Sequence, residues 1–158
     1  MKRIIYLFLS ALLIVSAVFF LGGEERLIEE SEKQVAKYGG IYFDDGGNII
    51  SLYAYHGKEA FLKNMTSVTA LGEKSTIPVY LAIPPRKMDV FEIPDDINLA
   101  PSRALFALAK KECESSGVQY IDLLGVLQGE DYYFATDNHW NSEGAYIAYC
   151  EIIRAMGH

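Results

Sequence analysis

Residues 76–85 read TIPVYLAIPP, a short apolar run rich in β-branched and aromatic side chains that ends at two prolines. Such a run is typical of a strand buried on both faces of a parallel sheet. A helical pattern follows at 102–116, the run VQYIDLL at 118–124 predicts a second strand, and residues 141–156 predict another helix with Asn141 as its N-cap. The order β–α–β–α predicts an α/β fold with parallel strands and a right-handed crossover.

Two elements are predicted upstream of that run. In IYFDDGGNIISLY (41–53), two apolar runs flank Asp44–Asn48, and the Asp-Gly and Gly-Gly pairs favour a tight turn, so a β-hairpin is expected. Residues 58–73 carry apolar side chains at helical spacing, and Gly72 is expected to end that helix.

The N-terminal segment has the composition of a membrane span. Lys2 and Arg3 precede an uncharged apolar run at residues 4–23, which is long enough to cross the ~30 Å hydrocarbon core of a bilayer. The two cations predict a cytoplasmic N-terminus. We expect residues 1–23 to be an uncleaved signal anchor, with a cleaved signal peptide as the alternative. In both cases the following residues, beginning with a linker helix at 24–40, are expected to be exported.

Charge and cysteine content argue against a nucleic-acid-binding protein and against a disulfide-rich scaffold. Acidic residues outnumber basic ones by 21 to 14, and a net charge of −7 disfavours nucleic acid as a partner. Cys113 and Cys150 are too few for a disulfide scaffold, and free thiols are favoured over a bridge.

Site-like residues are densest in YFATDNHWN (133–141), between the last predicted strand and helix. Asp137 and His139 are close enough in sequence for the carboxylate to hold one ring nitrogen while the other takes a proton from a hydroxyl nucleophile. The loop also follows the carboxyl end of a strand, where such sheets bind ligands. Two alternatives stay open: a capping Asp137 with a structural His139, and a metal site, for which His56 and His158 lack ligand-like spacing.

Three further residues are candidates for substrate binding. Trp140 is placed to shield the imidazole or stack on a sugar ring, with plain packing as the alternative. Arg86 and Lys87 follow the first strand and open a predicted loop at 86–101, where they would meet an anionic substrate group. A solvated basic loop is the alternative for this pair.

The block YFATDNHWNSEGAYIAYCEIIRAMG (133–157) resembles the DHHW proteins of bacteria, relatives of the SGNH-hydrolase-like proteins that include the alginate O-acetyltransferases. The strand and basic loop at 77–97 and the hairpin at 40–53 are also similar to that family. The resemblance implies an SGNH-hydrolase-like (flavodoxin-like) three-layer sandwich over residues 41–158, with a parallel sheet that is incomplete in this chain.

The same resemblance implies a role for the Asp-x-His pair. Asp137 would orient and His139 would act as general base in a Ser-His-Asp triad, with Asn138 in the position of the first His of the DHHW name. The family pattern continues to a serine block, and no serine here matches it, since Ser102 and Ser142 are better explained as helix-start residues. The chain is therefore expected to be truncated and inactive alone.

The whole protein would then be an O-acetyltransferase or acetylesterase of the bacterial cell membrane, with its soluble part extracytoplasmic. It would act on a cell-surface polysaccharide without a metal or cofactor, and the resemblance suggests a membrane acyl-carrier protein as a partner. The alternative, from another class of protein, is a non-catalytic surface module that binds glycan or a partner protein.

Overall fold

The structure of the protein, a computed structural model, describes residues 23–94, 97 and 102–158. The predicted signal anchor, residues 1–23, lies outside this part of the chain except for Gly23. None of the described helices is long and apolar enough to cross a membrane.

The described elements are four short strands and a set of helices. In chain order they are α1 (residues 23–37), β1 (Ile41–Phe43), β2 (Ile49–Ser51), α2 (Glu59–Lys74), β3 (Tyr80–Ala82), α3 (Lys87–Val90), α4 (Ser102–Ser116), β4 (Gln119–Ile121), α5 (Leu123–Val126), a 3₁₀ turn (Glu130–Tyr132) and α6 (Ser142–Ala155).

Strands β3 and β4 pair in parallel, with Ala82 opposite Ile121. Successive residues of β3 contribute to different cores. Leu81 packs against a cluster from α2, α4 and the start of the β4 segment: Met65, Ala109, Cys113 and Val118. Tyr80 and Ala82 pack against a cluster around α5 and α6: Ile121, Leu123, Leu127 and Ala148. Helices therefore cover both faces of the sheet, which confirms the predicted α/β class with parallel strands.

The hairpin prediction is also confirmed. Strands β1 and β2 pair antiparallel, with Phe43 opposite Ile49. The turn is closed by Asp44, whose carboxylate accepts the backbone N–H of Asn48 at 2.8 Å, and Gly47 supplies a φ of 80°. This hairpin forms a sheet of its own, separate from β3 and β4.

Helix α1 occupies most of the predicted linker helix and is tied to the rest of the protein. The Ser31 hydroxyl accepts the N–H of Tyr55 at 2.8 Å, and the Tyr55 hydroxyl donates to Glu24 at 2.7 Å. Burial and this carboxylate raise the pKa of Tyr55 to about 12. Of the two cysteines, Cys113 is buried and Cys150 exposed, and both are free thiols.

Strand β4 ends earlier than predicted, at Ile121 rather than Leu124. The carboxylate of Asp122 accepts the backbone N–H of Gly125 at 2.9 Å and so caps helix α5, which begins where the strand was expected to continue. A polar residue inside an apolar run therefore ends the strand.

Helix α2 continues through Gly72 to Lys74, so the prediction that Gly72 ends the helix is wrong. A Cβ atom at Gly72 would lie 2.4 Å from the side chain of Val118. The glycine is needed because the helix packs closely against the chain that leads into β4, and not because the helix stops.

The predicted loop at 86–101 contains the short helix α3. The Asp89 carboxylate accepts the backbone N–H of Arg86 at 2.8 Å and satisfies one of the free donors at the start of that helix. This local bond explains why a polar segment after β3 becomes helical.

Candidate functional site

The Asp-x-His pair lies on a loop that folds back on itself. Tyr133 and Trp140 form an antiparallel bridge, and the backbone N–H of Phe134 donates to the carbonyl of His139 at 3.2 Å. We refer to residues 133–140 as the site loop. The loop leads into α6, whose first turn is capped by the side chain of Asn141 as predicted.

Asp137 and His139 are in direct contact. The carboxylate Oδ1 lies 2.5 Å from the ring Nδ1 and also accepts the backbone N–H of His139 at 2.8 Å. Both hydrogen bonds hold the pKa of the Asp137 carboxyl below its ordinary value. The bond from the backbone N–H of His139 has the larger effect, and the bond from its ring the smaller. With Nδ1–H donating to the carboxylate, the neutral ring carries its lone pair on Nε2.

The imidazole faces solvent. The side chain of His139 is 82% exposed and that of Asp137 54% exposed. Within the described part of the chain, no hydrogen bond is made to Nε2 of this ring. The arrangement therefore presents Nε2 of an oriented imidazole to solvent.

The hairpin supports the site loop through three hydrogen bonds. The N–H of Ile49 donates to the carbonyl of Ala135 at 2.7 Å, and the N–H of Ser51 donates to Oδ1 of Asn138 at 3.0 Å. The Nδ2 of Asn138 donates in turn to the hydroxyl of Tyr53 at 2.7 Å. Asn138, which separates Asp137 from His139 in sequence, is thus fixed by both of its side-chain atoms.

Lys87 is buried beneath this junction. Its side chain has no exposed surface, and its ammonium donates to the carbonyls of Ile49, Phe134 and Ala135 at 2.9, 2.8 and 2.7 Å. The same nitrogen lies 4.9 Å from the centre of the Phe91 ring. All three N–H donors of the ammonium are therefore used within the protein, where they join the hairpin to the site loop.

Burial and nearby acidic residues have opposite effects on the pKa of Lys87. Burial lowers the pKa of the ammonium, and the negative charges of Asp44, Asp137 and Glu130 oppose that effect. Asp137 is thus one of three acidic residues that favour the charged form of Lys87.

Arg86 is bound by a buried carboxylate. Its Nε and Nη2 donate to the two oxygens of Asp89 at 3.1 and 2.9 Å, and Nη2 also donates to the hydroxyl of Ser102 at 2.9 Å. The guanidinium stacks 5.0 Å from the centre of the Tyr53 ring. The contacts of Arg86 and Lys87 with substrate stay predictions.

Trp140 is partly buried where two cores meet. It packs against the cluster of Ile50, Met88, Phe91 and Tyr133 and against the cluster that contains Leu123 and Leu127. Its predicted contact with a sugar ring stays a prediction. Across the residues that the structure describes, no group of three or more His, Cys, Asp or Glu side chains is arranged to hold a metal ion.

Sequence reasoning did not identify the support that Tyr53 and Ser51 give to the site loop. These residues are 85 and 87 positions from Asn138. No local pattern marks contacts at that distance, and correlated substitutions between related sequences would be the signal able to find them.

Comparisons with known proteins agree with the fold. A sequence model of the family described as SGNH hydrolase-like domain, acetyltransferase AlgX, matches residues 58–158. The structure of Bacillus cereus PatB1 with a sulfonyl adduct is similar with a TM-score of 0.59 and 23% sequence identity. A comparison with curated proteins gave no match.

The likeness to PatB1 covers 74% of this chain and 43% of the PatB1 chain, so this chain spans less than half the length of that protein. At such identity the likeness concerns the fold. The family match, in contrast, covers more than half of the chain and includes both parallel strands and the site loop. The narrower resemblance to the DHHW proteins stays a prediction. The chain belongs to the SGNH hydrolase-like acetyltransferase AlgX family.

Proposed function

We propose that the protein to which this chain belongs moves acetyl groups to or from a cell-surface polysaccharide, with His139 as general base and Asp137 as the carboxylate that orients it. The observation that carries this proposal is the 2.5 Å contact between Asp137 Oδ1 and His139 Nδ1. The exposure of the ring suits a polymer, since a sugar unit within a long chain cannot enter a closed cavity.

The proposed reaction uses a serine nucleophile. Nε2 of His139 takes the serine proton as the hydroxyl oxygen attacks the acetyl carbonyl carbon, and Asp137 stabilises the resulting imidazolium. The leaving group departs with the proton from Nε2, which leaves an acetyl ester on the serine. A sugar hydroxyl then attacks this ester, passes its proton to Nε2, and the serine regains that proton as it leaves.

We propose that the serine and the oxyanion-hole donors come from protein sequence beyond these 158 residues. The Ser102 hydroxyl accepts a hydrogen bond from Arg86, and Ser142 lies at the start of α6. The 158-residue chain alone is accordingly expected to release no acetate from an ester probe, because the base has no nucleophile to activate.

The proposed setting is the outer side of a bacterial cell membrane. The apolar run at residues 4–23 would anchor the protein, and Lys2 and Arg3 would keep its N-terminus in the cytoplasm. A membrane acyl-carrier protein is the proposed source of acetyl groups.

The test uses the complete gene product and 4-nitrophenyl acetate. We expect His139→Ala to lower the hydrolysis rate by about 100-fold or more, the typical contribution of a general base. His56→Ala is the matched control, since its side chain is 78% exposed and lies outside the site loop. Unchanged turnover in His139→Ala would remove the triad assignment.

A non-catalytic module that binds glycan or a partner protein is the second candidate. One observation favours it: within the described residues no hydroxyl is bonded to Nε2 of His139. This candidate predicts that the complete gene product releases no acetate and retains polysaccharide binding in His139→Ala.

A further inference from the structure

A cavity of about 290 Å³ lies where β3 ends, apart from the Asp-x-His pair. Most of its wall is apolar and comes from α2, α4 and the residues after β3: Phe61, Ile83, Pro84, Leu105 and Phe106. Three polar side chains complete it: Arg86, Asp89 and Ser102. An apolar pocket with a few fixed polar groups is typical of a small-molecule site, and this volume is at the small end of that class.

Arg86 has hydrogen-bond donors to offer a ligand. A guanidinium carries five N–H groups. Nε donates to Asp89, and Nη2 donates to Asp89 and Ser102, which uses three of them. Within the described part of the chain, the two N–H groups of Nη1 have no hydrogen-bond partner. Stacking on Tyr53 and the bidentate pair with Asp89 fix the guanidinium plane before any ligand arrives.

The charge at this cavity favours a neutral acceptor. The carboxylate of Asp89 is 2% exposed and already compensates the positive charge of Arg86. A phosphate or carboxylate would therefore meet an ion pair with no net charge and lose its hydration without a matching gain. An ester or amide carbonyl needs only the two free N–H donors, and an attached short hydrocarbon chain would contact the apolar wall.

The cavity and the site loop lie at the same edge of the sheet. β3 and β4 run in parallel, the cavity follows β3, and the site loop follows β4. Two contacts also join them, because Arg86 stacks on Tyr53 and the Tyr53 hydroxyl binds Asn138. A ligand held by Arg86 would thus be bound on the side of the sheet that carries His139.

We propose that this cavity is a binding subsite for the acyl portion of a neutral acyl ester, with the ligand carbonyl accepting hydrogen bonds from Nη1 of Arg86. The assignment of that ligand as an acyl donor rests on the proposed function. The existence and chemical preference of the subsite rest on the cavity alone, so the two are tested separately.

The test is a methyl NMR titration of the full 158-residue chain in detergent micelles, with labelled isoleucine and leucine. The probe is N-methylbutyramide, which carries an acyl chain and a carbonyl but no ester to hydrolyse. Butyl phosphate, an anion of similar length, is the comparison. We expect saturable shifts of the Ile83 and Leu105 methyl signals with the amide and binding of the phosphate at least about 5-fold weaker, the equivalent of one hydrogen bond.

Two variants test whether binding depends on the Arg86 donors and on the space in the cavity, and a third serves as the control. Arg86→Met should weaken amide binding about 5-fold or more, because the donors are lost. Arg103→Met is the matched control, an exposed arginine of the neighbouring helix that does not line the cavity, and it should bind as the wild type does. Leu105→Trp should abolish binding by filling the cavity while Arg86 and Asp89 keep their ion pair.

Specific outcomes would overturn the subsite: no saturable shift at these methyl groups, undiminished binding in Leu105→Trp, or tighter binding of butyl phosphate. If binding fails while the complete gene product still depends on His139 for turnover, the subsite is wrong and the proposed function stands. If binding succeeds and no acetyl transfer occurs, the proposed function is wrong and the subsite stands.

Discussion

The side-chain amide of Asn138 donates to the hydroxyl of Tyr53 at 2.7 Å, across 85 positions of sequence. The carbonyl of the same amide accepts the N–H of Ser51. The residue between the candidate base and its orienting carboxylate thus attaches the site loop to the hairpin. Only a side chain with both a donor and an acceptor can make these two bonds at once.

Asn138→Ala should lower the free energy of unfolding by about 1–2 kcal/mol, because two hydrogen bonds are lost and the N–H of Ser51 loses its partner. Urea denaturation would measure the change. Asn64→Ala, at an exposed position of α2, is the control and should cause no loss of stability. Equal stability of Asn138→Ala and wild type would show that the loop is held without this amide.

Lys87→Met should be more harmful, with a loss of about 3 kcal/mol in the free energy of unfolding. Methionine has a similar length, but the carbonyls of Ile49, Phe134 and Ala135 would each lose a charged donor at a buried site. Lys110→Met, at an exposed position of α4, should change stability by less than about 0.5 kcal/mol. If the two variants unfold at the same urea concentration, Lys87 does not join the hairpin to the site loop.

The pKa of the Asp137 carboxyl should change when the ring of His139 is removed. His139→Ala removes the ring contact but keeps the backbone N–H, which is the larger cause of the depression. The pKa should therefore rise relative to wild type and stay below the ordinary 3.8. An NMR pH titration measures it, with the Asp44 carboxyl, held by Asn48, as the internal reference.

The lowered pKa of the Asp137 carboxyl also determines how its contribution to folding stability changes with pH. A carboxyl whose folded-state pKa is lowered stabilises the fold fully above its unfolded value and loses that contribution as the pH falls through its folded value. For Asp137 the window lies at and below 3.8. An unchanged Asp137 pKa in His139→Ala would mean that the ring does not interact with the carboxylate in solution.

Gly144→Ala should destabilise the start of α6. A Cβ atom there would lie 2.5 Å from the carbonyl oxygen of Tyr132, so the helix would have to move away from the 3₁₀ turn, at a cost of about 1–3 kcal/mol. Gly23→Ala, a helical glycine with open space at its Cβ, should be neutral or slightly stabilising by comparison. Thermal unfolding of the two variants gives the difference, and equal melting temperatures would argue against a close approach at Gly144.

The sequence predicted the features of the fold that depend on local patterns. The turn around Asp44 and the cap at Asn141 are decided by side chains a few residues from the backbone groups that they bind, so their chemistry is visible in a single chain. Successive side chains of β3 point to opposite faces of the sheet, as in any strand, and so enter two different cores. The order of strands and helices along the chain then predicts helices on both faces.

The sequence-based predictions fail where contacts with residues far away in the sequence determine the structure. Gly72 was expected to end a helix, but Val118 requires the glycine for close packing. The Asp-x-His spacing predicted the contact between those side chains, because both lie on one short loop. The burial of Lys87 under carbonyls 38 to 48 residues away could not be seen, since a lysine after a strand more often lies in solvent.

The long sequence separation between the hairpin and the site loop has a consequence for folding. Ser51 and Asn138 are 87 residues apart, and chain closure over that distance comes late, after helices and local turns have formed. The environment of the His139 ring should accordingly be among the last features to appear during refolding. Its NMR signal would then report the fraction of molecules that have completed the fold, whatever reaction the ring serves.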